Sequence, residues 1–329
     1  HKKKEKYFFF KKNMTSSLIT IMMIMMIILI INVHAVRHPE DFVNPLAGTA
    51  SNDKLSTGNT LPIVARPWGF NHWAPASMLS NTAWWFHPDN TDFEGIRCTH
   101  QPSPWIGDWA WFLVSSSVGP HKYRPQAAEL KPYLFSARFG PHGDTIDFTP
   151  TMHGGIMRIR FPSKNPYAKQ VLVRVPGNVQ AGNMQNNGIL TTSTDVQAST
   201  GKDKVHSLRM FIRVEVEGGT RVSTEGGRNL RRGGNKLTTY HIDSTRSETI
   251  VRISTSFLSH EQAKENMKQE LDITKGFDTI MNEARSEWNE LLSRVQIRDN
   301  DDSATTYAHI TTFYTALYVS VREREFSCR

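Results

Sequence analysis

Between Trp109 and Phe257 one strand-like segment follows another, with no helix-length apolar period between them. Residues 109–116, 133–139, 144–150, 155–161, 169–175, 188–193, 205–217, 237–243 and 248–257 alternate apolar with polar side chains or are rich in β-branched residues. Gly, Pro, Asn and Asp punctuate the gaps. Strands recurring without intervening helices cannot build a parallel α/β sheet. They predict antiparallel sheets stacked as a large β-sandwich, with alternate side chains turned inward. Residues 36–104 are richer in Pro, Asn, Ser, Thr and Gly and read as loops around short strands.

At His260 the period changes from two to 3.6. Residues 259–275 are charged and helix-prone. Phe277, Ile280, Met281, Ala284, Trp288, Leu291, Leu292 and Val295 then recur at helical spacing, which predicts an amphipathic helix. Asp299 to Ser303 interrupt it. A second helix follows, with Ile310, Phe313, Tyr314 and Leu317 expected on one face. The expected organisation is an upstream tail with signal peptide over 1–35, a β-sandwich domain over 36–257, a helical linker over 258–302, and a final helical piece over 303–329.

The net charge of +8 is concentrated at the start, where residues 1–35 hold six lysines and one glutamate. Without that head the basic signal for nucleic acid is small. Residues 18–33 are almost wholly apolar and lead into Val33-His34-Ala35. This reads as a secretory signal peptide over 14–35, cut after Ala35. The alternative is a signal-anchored membrane protein, although the run is short of the roughly 20 residues of a bilayer span. Of the two cysteines, Cys98 and Cys328, the second lies in the tail, and no disulfide is assigned.

Seven of the eight tryptophans lie between Arg66 and Val114: Trp68, Trp73, Trp84, Trp85, Trp105, Trp109 and Trp111. His72, His87, His100 and several carboxylates are interspersed. Each indole is bulky and carries an N–H that needs a partner when buried, so a core gains little from such density. A saccharide site uses it well: aromatic faces stack on the C–H face of a sugar, and polar groups bond its hydroxyl rim. Core packing remains an even alternative for any single Trp.

No nucleophile elbow, phosphate loop, dinucleotide fingerprint or Cys-x-x-Cys pair is present. His260-Glu261 has Lys264 where a zinc helix needs its second His. His100, Ser103 and Asp108 lack a nucleophile turn. Arg228, Arg231, Arg232 and Lys236 among glycines 226, 227, 233 and 234 read as a solvated hairpin loop. Two-carboxylate glycoside hydrolysis is the reaction to weigh. Spacing alone does not single out a pair among Asp89, Asp92, Glu94, Asp108, Asp144 and Asp147.

Four blocks, taken in order, resemble a known family. Val43-Asn44-Pro45-Leu46-Ala47-Gly48-Thr49 is similar to the opening element of glycoside hydrolase family 92, the calcium-dependent α-mannosidases. Residues 66–75 (RPWGFNHWAP) and 95–108 (GIRCTHQPSPWIGD) resemble its next two blocks. Trp288, followed by residues 312–318 (TFYTALY), resembles its entry into the second domain. The likeness spans about 41–318, and residues 319–329 depart from the pattern.

This resemblance implies a galactose-mutarotase-like β-supersandwich, a helical linker and the first helix of an (α/α)6 barrel otherwise missing here. It implies exo-hydrolysis of α-mannosides with inversion. The acid, the base and most calcium ligands would belong to that barrel, so no catalytic residue, metal ligand or calcium is expected in this chain alone. By the same likeness Trp68, Trp73, His100, Gln101, Trp105 and Asp108 are expected at or near the sugar pocket. Gly48, Gly69 and Gly107 would hold tight turns and Asn44 would brace a loop. The implied partners are mannose-containing glycans and the barrel, with no nucleic acid and no membrane span after signal cleavage. The expected role is the carbohydrate-binding N-terminal domain of a secreted mannosidase, inactive alone; the alternative is a free-standing lectin-like module.

Overall fold

The structure is a computed structural model describing residues 38–50, 60–77, 85–100, 110–116, 121–139, 143–163, 168–177, 179–185, 187–195, 209–229, 236–297 and 304–323. The signal-peptide reading and the tail with Cys328 lie outside the described residues, as do Trp84, Trp109, Ser103, Arg231 and Arg232. No described helix is long and apolar enough to cross a membrane.

Two antiparallel sheets face each other. The six-stranded sheet runs, in spatial order, His72–Ala76, Gly95–Thr99, Phe112–Ser116, Gln170–Pro176, Lys236–Ser244, Gly219–Asn229. The eight-stranded sheet runs Gln180–Gln185, Ile189–Asp195, Arg209–Val216, Glu248–Ser256, Gly154–Arg160, Thr145–Pro150, Leu134–Arg138, Glu129–Lys131. Alternation built this arrangement: Arg209–Val216 buries every second side chain. Phe112, Val114, Val171 and Val173 meet Phe135, Ile146, Phe148, Met157 and Ile212 in one core between the sheets. Each such side chain contributes about 1.5–3 kcal/mol on burial.

His72–Ala76 and Gly95–Thr99 are buried along their whole length, because loops cover their outer side. Pro75 fits because its strand is the sheet's edge, where a missing N–H costs little. The long strand Gly219–Asn229 carries register shifts on its partner, the second between Glu225 and Arg228. The expected glycine-rich loop therefore begins later than Gly226, since Arg228 still pairs with Leu237.

Three helices follow, α1 (His260–Glu270), α2 (Phe277–Leu292) and α3 (Ala304–Glu323). Ser259 caps α1 by accepting the Gln262 N–H at 3.0 Å. A second core forms where Phe277, Ile280, Ala284, Trp288 and Leu292 of α2 meet Tyr133, Leu134 and Ile156 of the sheet. On α3 the buried stripe is Ile310, Tyr314, Tyr318 and Val321, at steps of four, four and three. Phe313, expected on that face, lies on the flank and is 36% exposed.

Candidate functional site

The segment from Leu61 to Phe70 is stitched to both halves of the molecule. Tyr318 of α3 donates its hydroxyl to the Ile63 carbonyl at 2.7 Å, and Trp288 of α2 donates its indole N–H to the Ala65 carbonyl at 2.7 Å. Arg66 then makes a two-pronged ion pair with Glu287 of α2, at 2.7 and 2.5 Å. Arg66-Pro67-Trp68-Gly69 closes as a turn, with the Gly69 N–H donating to the Arg66 carbonyl at 3.0 Å. Pro67 suits its second position by fixing φ. A Cβ on Gly69 would stand 3.1 Å from the Arg66 carbonyl oxygen, so the turn closes tightest without one.

Trp68 occupies the position where such turns favour glycine. Its φ is +60°, the left-handed region that a bulky side chain seldom adopts, and the residue is 48% exposed. Directly after it, the N–H groups of Phe70 and Asn71 both donate to the Met152 carbonyl, at 2.9 and 3.3 Å. Asn71, fully buried, accepts from the Thr255 hydroxyl at 3.0 Å. The turn is thus fixed to a helix on one side and to the eight-stranded sheet on the other.

Beneath it lies a cluster of rings. Phe70 packs against His100, His153 and Phe257, with centroids 5.1, 5.4 and 5.3 Å away, and His100 and Phe257 stand 4.9 Å apart. His153 is clamped by Glu270, the last residue of α1. Its backbone N–H and its Nδ1–H both donate to that carboxylate, at 2.9 and 2.6 Å. Burial would raise the Glu270 pKa, but the hydrogen bonds from His153 outweigh it and hold the carboxyl below its ordinary range. His100 Nδ1 donates to the Ala110 carbonyl at 3.0 Å and so joins the residues on either side of 101–109. Gln101, Trp105, Gly107 and Asp108, expected at the pocket or in its turns, lie outside the described residues.

The remaining expected residues take other places. Trp73 is fully buried between the sheets, its indole N–H donating to the Gly154 carbonyl at 3.1 Å and its ring against Phe112 and Phe148. It offers no ring face to a ligand in this structure. Its strand is covered on both sides, so nothing in the period marked it as core. Trp85 and Trp111 hold the Arg97 guanidinium between them, 4.4 and 3.9 Å from the ring centroids. These rings form a cation–π stack on the outside of the six-stranded sheet. Asn44 accepts the Leu46 N–H at 3.1 Å and donates its own N–H to the Thr315 hydroxyl of α3 at 3.0 Å. Gly48, at φ +75°, ends the turn that follows. His153, Glu270, Met152 and Phe257 were not singled out from the sequence. They come from three separate parts of the chain, and only the fold unites them.

The candidate acids are spread out. Asp147 is buried against Arg158, Arg160 and Ser136. Asp144 is buried and accepts from Ser116. Asp92 pairs with Lys122, and Asp89 is a largely exposed turn residue beside His87. Among the described residues, one group of His, Asp and Glu lies close enough to hold a metal: His38, Glu40 and Asp41. It does not fit calcium, which takes six to eight oxygens. Arg285 already occupies it, bonding Glu40 at 2.9 Å and Asp41 at 2.6 Å, and Asn289 takes the other Glu40 oxygen at 2.7 Å.

Residues 42–240 match the family model described as the glycosyl hydrolase family 92 N-terminal domain, and residues 262–325 match that of the family 92 catalytic domain. The second match begins inside α1 and runs past Tyr318, so the departure expected from residue 319 starts later. No curated protein matches the chain. Among solved structures, the family GH92 inverting mannosidase BT2199 from Bacteroides thetaiotaomicron VPI-5482 matches with a TM-score of 0.74 and 26% identity, over 87% of this chain and 40% of that one. The family GH92 α-mannosidase BT3965 from Bacteroides thetaiotaomicron shares the fold, with a TM-score of 0.65 and 16% identity, over 85% of this chain and 41% of that one. Its complex with mannoimidazole matches with a TM-score of 0.64 and 17% identity, over 85% and 40% of the two chains. The chain therefore spans about 40% of the length of the mannosidases it matches.

Proposed function

Because the chain belongs to glycosyl hydrolase family 92, we propose that it supplies the sugar-recognising wall of an exo-α-mannosidase site. Trp68 is the stacking platform in this reading. In the same reading Gln101 and Asp108, which follow His100 in sequence, bond hydroxyls and Trp105 adds a second ring. The observation that carries the reading is the Trp68 turn: a half-exposed indole at positive φ, braced from α2 and from the sheet. Backbone strain in a fixed, exposed aromatic is costly unless the ring's direction matters. A flat apolar face with polar neighbours suits a pyranose. The likeness to an inverting mannosidase supports mannose as the sugar.

Inversion needs an acid and a base about 6.5–9.5 Å apart across the sugar. Glu287, which braces the turn, is held in an ion pair with Arg66, and Glu270 is held by two hydrogen bonds from His153. The proposal therefore gives these residues recognition and not turnover. It assigns the acid, the base and any calcium to catalytic-domain sequence other than the residues described here. It takes residues 14–35 as a cleaved signal, which would deliver the protein to the secretory lumen or beyond.

The test is to express the chain from residue 36, titrate methyl α-D-mannopyranoside by ligand-observed NMR, and assay an aryl α-mannoside with and without calcium. Weak binding that Trp68→Ala reduces at least ten-fold, with no turnover above buffer, is expected. Clear turnover, or binding indifferent to Trp68→Ala, would overturn the proposal. A lectin-like module is the second reading, favoured by the exposure of Trp68. Micromolar affinity in the isolated chain would select it.

A further inference from the structure

A second cleft opens where the start of the sandwich domain meets α2 and α3. It measures about 610 Å3, within the range of about 300–1,000 Å3 typical of small-molecule pockets, and its lining includes Asp41, Phe42, Glu129, Lys131, Arg285 and Tyr307. The buried Tyr133 also lines it.

The cleft lies on the far flank of α2 from the Trp68 turn. Arg285 serves the cleft and Glu287 serves the turn, and residues two apart on a helix point about 200° from each other.

Tyr307 is 60% exposed and its ring leans on Phe42, with centroids 5.3 Å apart and planes tilted by 50°. The ring is thus supported by Phe42 on one side while much of the residue stays open to solvent. Around it stand polar groups whose hydrogen-bonding capacity is only partly used. Lys131 spends one of its three protons on the Asp41 carbonyl at 2.7 Å. Asp41 accepts from Tyr133 at 3.2 Å and from Arg285 at 2.6 Å, which leaves lone pairs on both oxygens. Glu129 is exposed, and its carboxylate has no hydrogen-bond or ion-pair partner among the described residues. Burial first, and then the Asp41 charge, push the Tyr133 hydroxyl above its ordinary pKa, so it stays a donor. Three carboxylates, Glu40, Asp41 and Glu129, stand around two cations, Lys131 and Arg285, so the local field disfavours an anionic ligand.

We propose that this cleft is a second saccharide-binding site, which takes a neutral pyranose with its C–H face on Tyr307 and its hydroxyls bonded by Glu129, Lys131 and Asp41. It would hold a remote residue of a branched glycan while another branch occupies the first site. The proposal does not depend on Trp68, so the two sites can fail separately.

The test uses the chain from residue 36 carrying Trp68→Ala, which removes the first platform. Methyl α-D-mannopyranoside, methyl α-D-glucopyranoside, N-acetylglucosamine and mannose 6-phosphate are titrated by saturation-transfer NMR. Residual binding of at least one neutral sugar is expected. Tyr307→Ala should weaken it about 3- to 10-fold, as loss of an aromatic contact does, and Glu129→Gln should weaken it several-fold. Both side chains are exposed, and an unchanged melting temperature checks that each variant folds. The idea is overturned if no neutral sugar binds in the Trp68→Ala background. It is equally overturned if Tyr307→Ala and Glu129→Gln leave the affinity unchanged, or if only the phosphorylated sugar binds.

Discussion

Replacing Trp68 with alanine and, separately, with glycine gives the sharpest reading of the turn. Both variants delete the same half-exposed ring, so its packing cancels in the comparison. What remains is the backbone at φ +60°. A residue with a Cβ pays about 1–2 kcal/mol in the left-handed region. Glycine escapes that cost but loses about 0.4–1 kcal/mol more chain entropy on folding. Trp68→Gly should therefore be more stable than Trp68→Ala by about 0.5–1 kcal/mol, the reverse of the order in a helix or strand. Urea denaturation followed by far-UV circular dichroism measures it, as a higher midpoint for the glycine variant at equal slope. Both variants should lose mannoside binding to the same degree. An alanine variant as stable as the glycine variant, or more so, would refute the claim that Trp68 is held in a strained conformation.

Three further outcomes follow from the braces. Trp288→Phe removes the N–H that satisfies the Ala65 carbonyl and should cost about 1–3 kcal/mol in thermal or urea denaturation; a neutral result would deny that bond its role. A double-mutant cycle on Arg66→Met and Glu287→Gln should give a coupling of about 1 kcal/mol, kept low because the Glu287 side chain is 44% exposed. For Glu270, whose folded pKa lies below the ordinary 4.5, stabilisation is complete above that value and is lost as pH falls through the lower folded one. The stability gap between the parent chain and Glu270→Gln should therefore shrink as pH falls below about 4.5; a gap that does not shrink on acidification would contradict the clamp.

The sequence made the sandwich legible wherever one strand face met the core and the other met solvent. Arg209–Val216 alternates along its whole length, and the strands through 134–176 and 248–256 lie within a residue or two of expectation. The strands His72–Ala76 and Gly95–Thr99 were hidden for the opposite reason, since residues buried on both sides leave no alternation to read. The helix over 277–292 was legible from Phe277, Ile280, Ala284 and Trp288, all buried. On α3 a helical period alone left the direction of its face uncertain by one flank, hence Phe313. The tryptophans show the same limit. The density of indoles pointed to a site, but burial divides the described ones: Trp73 fills the core, Trp85 and Trp111 stack on Arg97, and Trp68 faces out. A positive φ at Trp68 and a carboxylate from α1 beneath His153 depend on tertiary contacts that no local pattern encodes.

The most direct test labels the chain with 5-fluorotryptophan, assigns the Trp68, Trp73 and Trp288 resonances by single substitution, and titrates methyl α-D-mannopyranoside while recording 19F spectra. The Trp68 resonance should move in a saturable way while those of Trp73 and Trp288 stay still. A Trp68 signal unmoved at concentrations that saturate any other probe, or a shift confined to the buried rings, would contradict the account.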